Sequence, residues 1–114
     1  NAQFPGKLFK GTGCSGGWIK GTVKIIDHSN IQDIPEGHIL VAHYFEPGLF
    51  NLFSKASGLV SEKGNILSHT AILSREMGIP SGIGVKGIMN ACNDGDWIEL
   101  NGTTGEIKIL QHGN

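Results

Sequence analysis

The run from Gly64 to Pro80 holds the residues best suited to covalent chemistry, with His69 near its centre. A neutral imidazole can attack a phosphoryl group near neutral pH without a strong base. Ser68 precedes this histidine and Thr70 follows it. If a helix begins here, its free N–H groups and partial positive charge suit the phosphoryl dianion that would result. The run is therefore typical of a covalent phosphate carrier, although a lone histidine at a helix start can also be a surface or capping residue.

The residues around the histidine predict the element that positions it, a short helix over 69–77. Ser68 is suited to cap the helix by accepting a backbone N–H. Gly78 fits the left-handed exit that ends many helices, and Pro80 prevents the helix from continuing. His69, Ile72, Leu73 and Glu76 are expected along one side of this helix.

The rest of the chain is expected to supply strands joined by tight turns. Residues 7–17 are predicted to form a short apolar piece that runs into a glycine-rich loop. Residues 47–55 are predicted to form a short helix whose inward side chains are Leu49, Leu52 and Phe53. Residues 86–92 are predicted to form a helical turn. The segment 38–45 is continuously apolar, which indicates a strand buried on both faces. The strands are predicted at 18–27, 38–45, 58–62, 81–85, 96–101 and 105–110, the last two forming a hairpin around a turn at 102–105.

The run around the histidine resembles the signature of the mobile domain of phosphoenolpyruvate (PEP)-utilising enzymes, also called the phosphohistidine swivelling domain. The matching positions are Gly64, Ser68, His69, Ala71, Ile72, Arg75, Glu76, Gly78, Ile79 and Pro80. Segments 35–42, 56–62, 94–98 and 101–107 also resemble family strands, so that the resemblance covers most of residues 11–110. Three positions depart from the family pattern: Asn65 replaces a second glycine, Ser81 an alanine and Asn101 an aspartate. Because asparagine tolerates left-handed backbone, the turn at Asn65 is expected to survive.

The resemblance implies an α/β (α+β) fold, a compact β/β/α swivelling phosphohistidine domain. Residues 1–114 would be one domain, a segment of a larger multidomain phosphotransferase such as a PEP synthase, a pyruvate phosphate dikinase or a rifampicin-type phosphotransferase. It further implies that His69 is transiently phosphorylated, through Nε2, and passes the group to an acceptor at a second site. The alternative is a docking module with the same fold and an idle histidine.

Supporting roles around the nucleophile are expected for four residues: Gly64, Asn65, Ser68 and Thr70 would orient the ring or support phosphate. For Ser68 a plain capping role, and for Thr70 a solvent-facing position, remain equally open. Arg75 is expected to pair with a carboxylate, although its presence in the motif leaves a phosphate contact open. Glu76 is expected to fix a loop. In several dikinases of the family a threonine two residues before the histidine is a regulatory phosphorylation site, and because Leu67 stands there, this control is expected to be absent.

No cofactor or metal is expected on this chain, which lacks a Walker-type loop and metal-ligand motifs. ATP and Mg²⁺ would be bound by a partner, an ATP-grasp-like domain, and the acceptor would lie on a PEP or pyruvate domain or another site, in cis or in trans. The residues do not distinguish pyruvate, an antibiotic, a sugar or a protein as acceptor. A chain of this kind is not expected to turn over alone.

Composition describes a globular chain of one domain, with 114 residues of which 39% are hydrophobic and 17% charged. A formal net charge of −1 argues against a nucleic-acid partner. No apolar stretch approaches the roughly 20 residues that cross a bilayer, and no secretory signal is apparent, so a cytoplasmic location is expected. Cys14 and Cys92 are interpreted as reduced core or loop thiols, and a disulfide between them is the alternative that the sequence leaves open.

Two glycine-rich motifs and a pair of histidines resemble functional sites, but the residues around them do not favour those functions. Gly11–Gly16 matches a dinucleotide-binding fingerprint, and Gly13–Gly17 matches a hydrolase nucleophile motif built on Ser15. Both motifs need a helix immediately afterwards, whereas residues 18–27 read as a strand. His38 and His43 are five residues apart on a predicted strand, so their side chains should face opposite sides and not form a metal pair.

Overall fold

The computed structural model describes residues 7–27 and 34–113. Eight strands form one mixed sheet in the order β1-β8-β7-β3-β4-β5-β6-β2. The strands are β1 Leu8–Lys10, β2 Thr12–Ser15, β3 Trp18–Ile25, β4 Ile39–Ala42, β5 Gly58–Ser61, β6 Ser81–Ile83, β7 Trp97–Asn101 and β8 Glu106–Gln111. The helices are a 3₁₀ helix over Pro47–Lys55, α1 over His69–Met77 and α2 over Ile88–Ala91.

One half of the sheet is parallel, and its strands β4, β5 and β6 are buried on both faces. Strands β3, β4, β5 and β6 run parallel to one another, and Val41 pairs with Val60 near the middle of this half. Every residue of β4 and β5 is buried. This is why the sequence of β4 is continuously apolar and not alternating.

The other half, β1-β8-β7-β3, is antiparallel and shares β3 with the first. In β7 the buried residues Ile98 and Leu100 alternate with more exposed neighbours, and they lie opposite Ile109 and Ile107 of β8. The inner faces of the two halves enclose a common core, and a Cβ added at Gly82 would lie 3.2 Å from Ile107. That core includes Val23, Ile39, Val41, Val60, Val85, Ile88, Ile98, Leu100, Ile107 and Ile109.

A second apolar cluster lies on the opposite face of the parallel half, beneath the 3₁₀ helix and α1. It contains Ile26, Ile34, Leu40, Ala42, Phe45, Phe53, Leu59 and Ile79. Phe53 is fully buried, as predicted, whereas Leu49 and Leu52 are half-buried. The antiparallel half of the sheet, the parallel half and the helices therefore form three successive layers. The predicted β/β/α fold is confirmed.

The expectation of a glycine-rich loop after the short apolar piece of residues 7–17 is wrong, because β2 occupies most of that loop. Strand β2 pairs antiparallel with β6, with Thr12 opposite Ile83. Gly13 is required there because a side chain would collide with the backbone of Gly102 and Thr103 in the turn between β7 and β8. Glycine in this segment thus reflects close backbone approach within a sheet, which local sequence does not distinguish from a loop.

Strand β3 follows the glycine-rich segment directly, as expected, so neither the dinucleotide nor the hydrolase motif has the helix that its mechanism requires. Within the described ranges, no helix is long and apolar enough to span a membrane.

Candidate active site

Helix α1 begins at His69, and its ends have the cap geometry that the sequence predicts. Ser68 is the extended N-cap residue, with φ −67° and ψ 155°, and its Oγ accepts a hydrogen bond from the Ala71 N–H at 3.3 Å. Gly78 adopts the left-handed conformation at φ 70°, and its N–H donates to the carbonyl of Arg75. The predicted helix over 69–77 and both of its caps are confirmed.

The imidazole of His69 is exposed at the first position of this helix. The carbonyl of Ser68 accepts the N–H of Ile72, which begins the helical ladder. The N–H groups of His69 and Thr70 precede that ladder, so they are the donors that a helix N-terminus offers to an anion. A ring nitrogen and a set of anion-binding donors therefore lie within one turn of each other at the protein surface.

Phe50 is a neighbour of the histidine that sequence reasoning did not identify. It lies in the 3₁₀ helix, and its ring meets the His69 ring edge to face, with 6.4 Å between centroids and an interplanar angle of 85°. Phe50 in turn contacts Phe53, with 5.3 Å between ring centroids. The imidazole is thus connected through two aromatic rings to the buried core, and only the tertiary structure could bring these helices together.

The buried face of α1 consists of Thr70, Ala71 and Ser74. Because Thr70 is only 5% exposed, its expected alternative as a solvent-facing residue is wrong. Of the side predicted to hold His69, Ile72, Leu73 and Glu76, only Leu73 is half-buried and the others are exposed. Small and polar residues therefore let the helix approach the sheet closely.

A buried serine network anchors this face. The hydroxyls of Ser74 and Ser81 are 2.8 Å apart, and the Ser74 hydroxyl also donates to the carbonyl of Ala71. Ser15 donates to the carbonyl of Ser74 at 3.1 Å, so its hydroxyl is part of the anchor and is buried. Sequence reasoning noted Ser15 and Ser81 for other reasons and missed this role, since Ser15 is distant in sequence from the other two and Ser81 lies beyond the end of α1.

Gly64 and Asn65 form the start of the turn that leads into the helix. Gly64 has φ 113°, a conformation that essentially only glycine adopts at low cost. Asn65 does not adopt left-handed backbone, since all the positive-φ residues of the described ranges are glycines. Instead, its Oδ1 accepts the N–H of Leu67 at 2.8 Å, and its carbonyl accepts the N–H of Ser68 at 3.0 Å. The side chain thus closes the turn by its own hydrogen bond.

The expectation that Arg75 pairs with a carboxylate is wrong. Its Nη2 donates to the carbonyl of Ile66 at 2.7 Å, and its Nε donates to the carbonyl of Ala71 at 3.3 Å. The guanidinium therefore reaches back from the second turn of α1 to the turn before His69. Glu76 is exposed on the same helix.

His38 lies just before β4 and His43 just after it, where it is exposed. No cluster of three metal-ligating side chains occurs within residues 7–27 and 34–113. Cys14 and Cys92 are free and buried, as predicted. Burial, with a smaller contribution from Asp96, raises the pKa of Cys92 to about 12, and burial also raises the pKa of Cys14.

The sequence is similar to one protein family and to several longer proteins. Residues 34–105 match the model of the family described as PEP-utilising enzyme, mobile domain. The chain is 33% identical over 108 residues to a rifampicin phosphotransferase of Bacillus cereus, and 36% identical over 101 residues to a probable phosphoenolpyruvate synthase of Pyrococcus horikoshii. These alignments cover 95% and 88% of this chain, but only 12% of each relative.

A solved structure is also similar to this fold. The solution structure of an Enzyme I protein matches with a TM-score of 0.62 and 24% identity, covering 70% of this chain and 33% of that one. A likeness at this level of identity concerns the fold alone.

Proposed function

Because the chain belongs to the PEP-utilising enzyme mobile-domain family, we propose that it is the phosphoryl carrier domain of a multidomain phosphotransferase, with His69 as the residue that is transiently phosphorylated. The observation that carries this proposal is the exposed imidazole at the first position of a nine-residue helix. That position combines a nucleophile with N–H donors and a partial positive charge for the phosphoryl oxygens.

The proposed reaction is two successive displacements at phosphorus. A lone pair on a ring nitrogen of His69, Nε2 in the family pattern, forms a P–N bond while the P–O bond of the donor breaks and its electron pair leaves with the donor oxygen. The ring then releases its one N–H proton, which is on Nδ1, to solvent. In the second step an acceptor hydroxyl oxygen forms a new P–O bond and loses its proton, while the P–N bond breaks, its electron pair returns to Nε2, and the ring regains a proton. Each step needs in-line geometry and charge neutralisation.

Supporting roles follow from the positions of the neighbouring residues. Ser68 caps the helix, while Gly64 and Asn65 shape the turn that leads to the nucleophile. Thr70 would act through its backbone N–H, since its side chain is buried. No regulatory phosphorylation is proposed at Leu67, which has no hydroxyl.

The partners of this carrier would be supplied by other domains. Relatives that bear the names of a rifampicin phosphotransferase and a phosphoenolpyruvate synthase are far longer than the region they share with this chain. We propose an ATP-grasp-like domain that binds ATP and Mg²⁺ and charges His69, or a PEP-binding domain that does so. A further site would hold the acceptor, which can be pyruvate, an antibiotic, a sugar or a protein.

The direct test is phosphorylation of the chain by the nucleotide-binding domain of its parent protein. ATP labelled in turn at the β- and γ-phosphates, and labelled PEP with a PEP-binding domain, would serve as donors. We expect acid-labile, base-stable label on the wild-type chain and none on His69→Ala. His43→Ala, which removes another exposed imidazole, is the matched control and should label normally.

Two outcomes would contradict the proposal. Label that persists in His69→Ala would exclude this histidine as the carrier. A wild-type chain that accepts label from neither donor, although it binds the partner domain, would instead indicate a docking module with an idle histidine.

A further inference from the structure

Arg75 makes a bridge between α1 and the turn that precedes it. Its Nη2 donates to the carbonyl of Ile66 at 2.7 Å, and its Nε donates to the carbonyl of Ala71 at 3.3 Å. The two acceptors lie on either side of His69 in the sequence. Because a guanidinium is planar and presents its donors in a rigid fork, two bonds to separate carbonyls restrain the relative position of both segments.

The end of the turn over 64–68 is tied to α1, because Ser68 accepts the N–H groups of Ala71 and Ile72, but its middle has little besides Arg75 to hold it. Ile66 is 49% exposed and Leu67 is 79% exposed, so burial of apolar side chains contributes little to its position. The hydrogen bonds of Asn65 go to Leu67 and Ser68, which lie within the turn or at its end. Those bonds shape the turn without connecting its middle to the body of α1, whereas the bond from Arg75 to Ile66 does.

We propose that Arg75 is a positioning residue that holds this turn, and through it the imidazole of His69, in the orientation needed to accept a phosphoryl group. This inference rests on the carrier role proposed above. Without the bridge, the exposed middle of the turn would sample other conformations, and the backbone leading into Ser68 and His69 would be less firmly placed. In-line transfer is sensitive to such displacement, because misplacement of a nucleophile by about 1 Å can lower a rate by about 100-fold.

The variant Arg75→Lys distinguishes an effect of the two hydrogen bonds from an effect of the positive charge. Lysine keeps the positive charge, but its ammonium is a point donor on a flexible stem and does not reproduce the fork. We expect both Arg75→Lys and Arg75→Ala to lower the rate of phosphorylation at saturating partner by about 10-fold or more, the equivalent of one charge-assisted hydrogen bond. The partner concentration for half-maximal rate should stay near the wild-type value. Lys10→Ala, which removes an exposed cation on β1, is the matched control and should leave both values unchanged.

Hydrogen exchange decides the structural part of the inference independently of activity. In both Arg75 variants the amide of Leu67 should exchange about 10-fold faster, while the amide of Ile98 in β7 keeps its wild-type rate. Unchanged exchange at Leu67 would overturn the bridge, even if the wild-type chain accepts no label and the carrier role itself fails. If the wild type is labelled and Arg75→Lys is labelled equally fast, the charge and not the fork is what matters, and the inference is wrong while the carrier role stands.

Discussion

The ring of Phe50 meets the imidazole of His69 edge to face, with 6.4 Å between their centroids. Phe50 belongs to the 3₁₀ helix, and His69 begins α1, so this contact joins two elements that flank β5 in the sequence. The aromatic ring restricts one side of the imidazole and leaves the rest exposed. The contact provides a way for the protein to orient a nucleophile without burying it.

Replacing Phe50 with alanine should therefore slow phosphoryl acceptance by His69 while the fold persists. Edge-to-face aromatic pairs contribute about 0.5–1.5 kcal/mol beyond burial, which predicts a rate lower by roughly 2- to 10-fold. Phe50→Tyr, which keeps the ring, should react at nearly the wild-type rate. Leu52→Ala, a half-buried residue of the same 3₁₀ helix, controls for general loosening. Equal rates for Phe50→Ala and Leu52→Ala, measured by transfer of label, would contradict an orienting role for the ring.

The cap at Ser68 should be separable into a stability effect and a charge effect. Ser68→Ala removes the acceptor for the Ala71 N–H and should lower the free energy of unfolding by about 1 kcal/mol. Ser68→Asp preserves the cap, so its stability in urea should match wild type. Its carboxylate would however repel the incoming phosphoryl group, and phosphorylation should fall well below that of Ser68→Ala. If Ser68→Asp accepts phosphate as readily as the wild type, the predicted anion site at this helix end is wrong.

The paired hydroxyls of Ser74 and Ser81 should show strong energetic coupling. Ser74→Ala leaves the buried Ser81 hydroxyl without that partner and should cost about 1–3 kcal/mol. Ser81→Ala should cost less, since Ser74 still donates to the carbonyl of Ala71. Urea unfolding of the single and double variants forms a double-mutant cycle, with an expected coupling of roughly 0.5–3 kcal/mol. Additive losses would show that the two hydroxyls do not interact.

The buried thiol of Cys92 should make stability fall at alkaline pH. Its pKa is raised from 9.0 to about 12 in the folded protein, mainly by burial. The unfolded thiol therefore loses its proton first, and the contribution of Cys92 to stability is complete below pH 9 and is lost as the pH rises from 9 towards 12. Urea unfolding at pH 7.5, 9 and 10 should show a steeper decline for the wild type than for Cys92→Ala. Parallel declines would contradict the raised pKa.

Local patterns in the sequence accounted for the elements around the candidate site. Ser68, Gly78 and Pro80 bound α1 through contacts with residues only a few positions away, so its ends were predictable from spacing alone. The strand β4 was recognisable from its continuous apolar run, although it ends at Ala42 and not at Phe45 as predicted, and His43 and Tyr44 are exposed. The hairpin of β7 and β8 was likewise predictable, because its alternation and its turn are local features. Family resemblance added the β/β/α arrangement, which no local pattern contains.

One error concerns a contact between distant segments, and two concern side-chain hydrogen bonds that depend on the folded shape of the turn and of α1. Residues 12–15 read as part of a glycine-rich loop, yet β2 is a strand, and Gly13 allows its close approach to the turn between β7 and β8. Arg75 was expected to find a carboxylate, but its nearest acceptors are carbonyls that the helix and turn present only once folded. Asn65 was expected to tolerate left-handed backbone, but its own side chain closes the turn in another conformation.

The sequence by itself determined where the nucleophile lies and which helix begins at it, because caps and helix ends depend on neighbouring residues. Tertiary structure alone decided that the His69 ring is exposed, that Phe50 flanks it and that Thr70 faces inward. Those properties depend on how α1 packs against the sheet and the 3₁₀ helix. Packing is a relation between distant segments, which the spacing of residues along one of them does not encode.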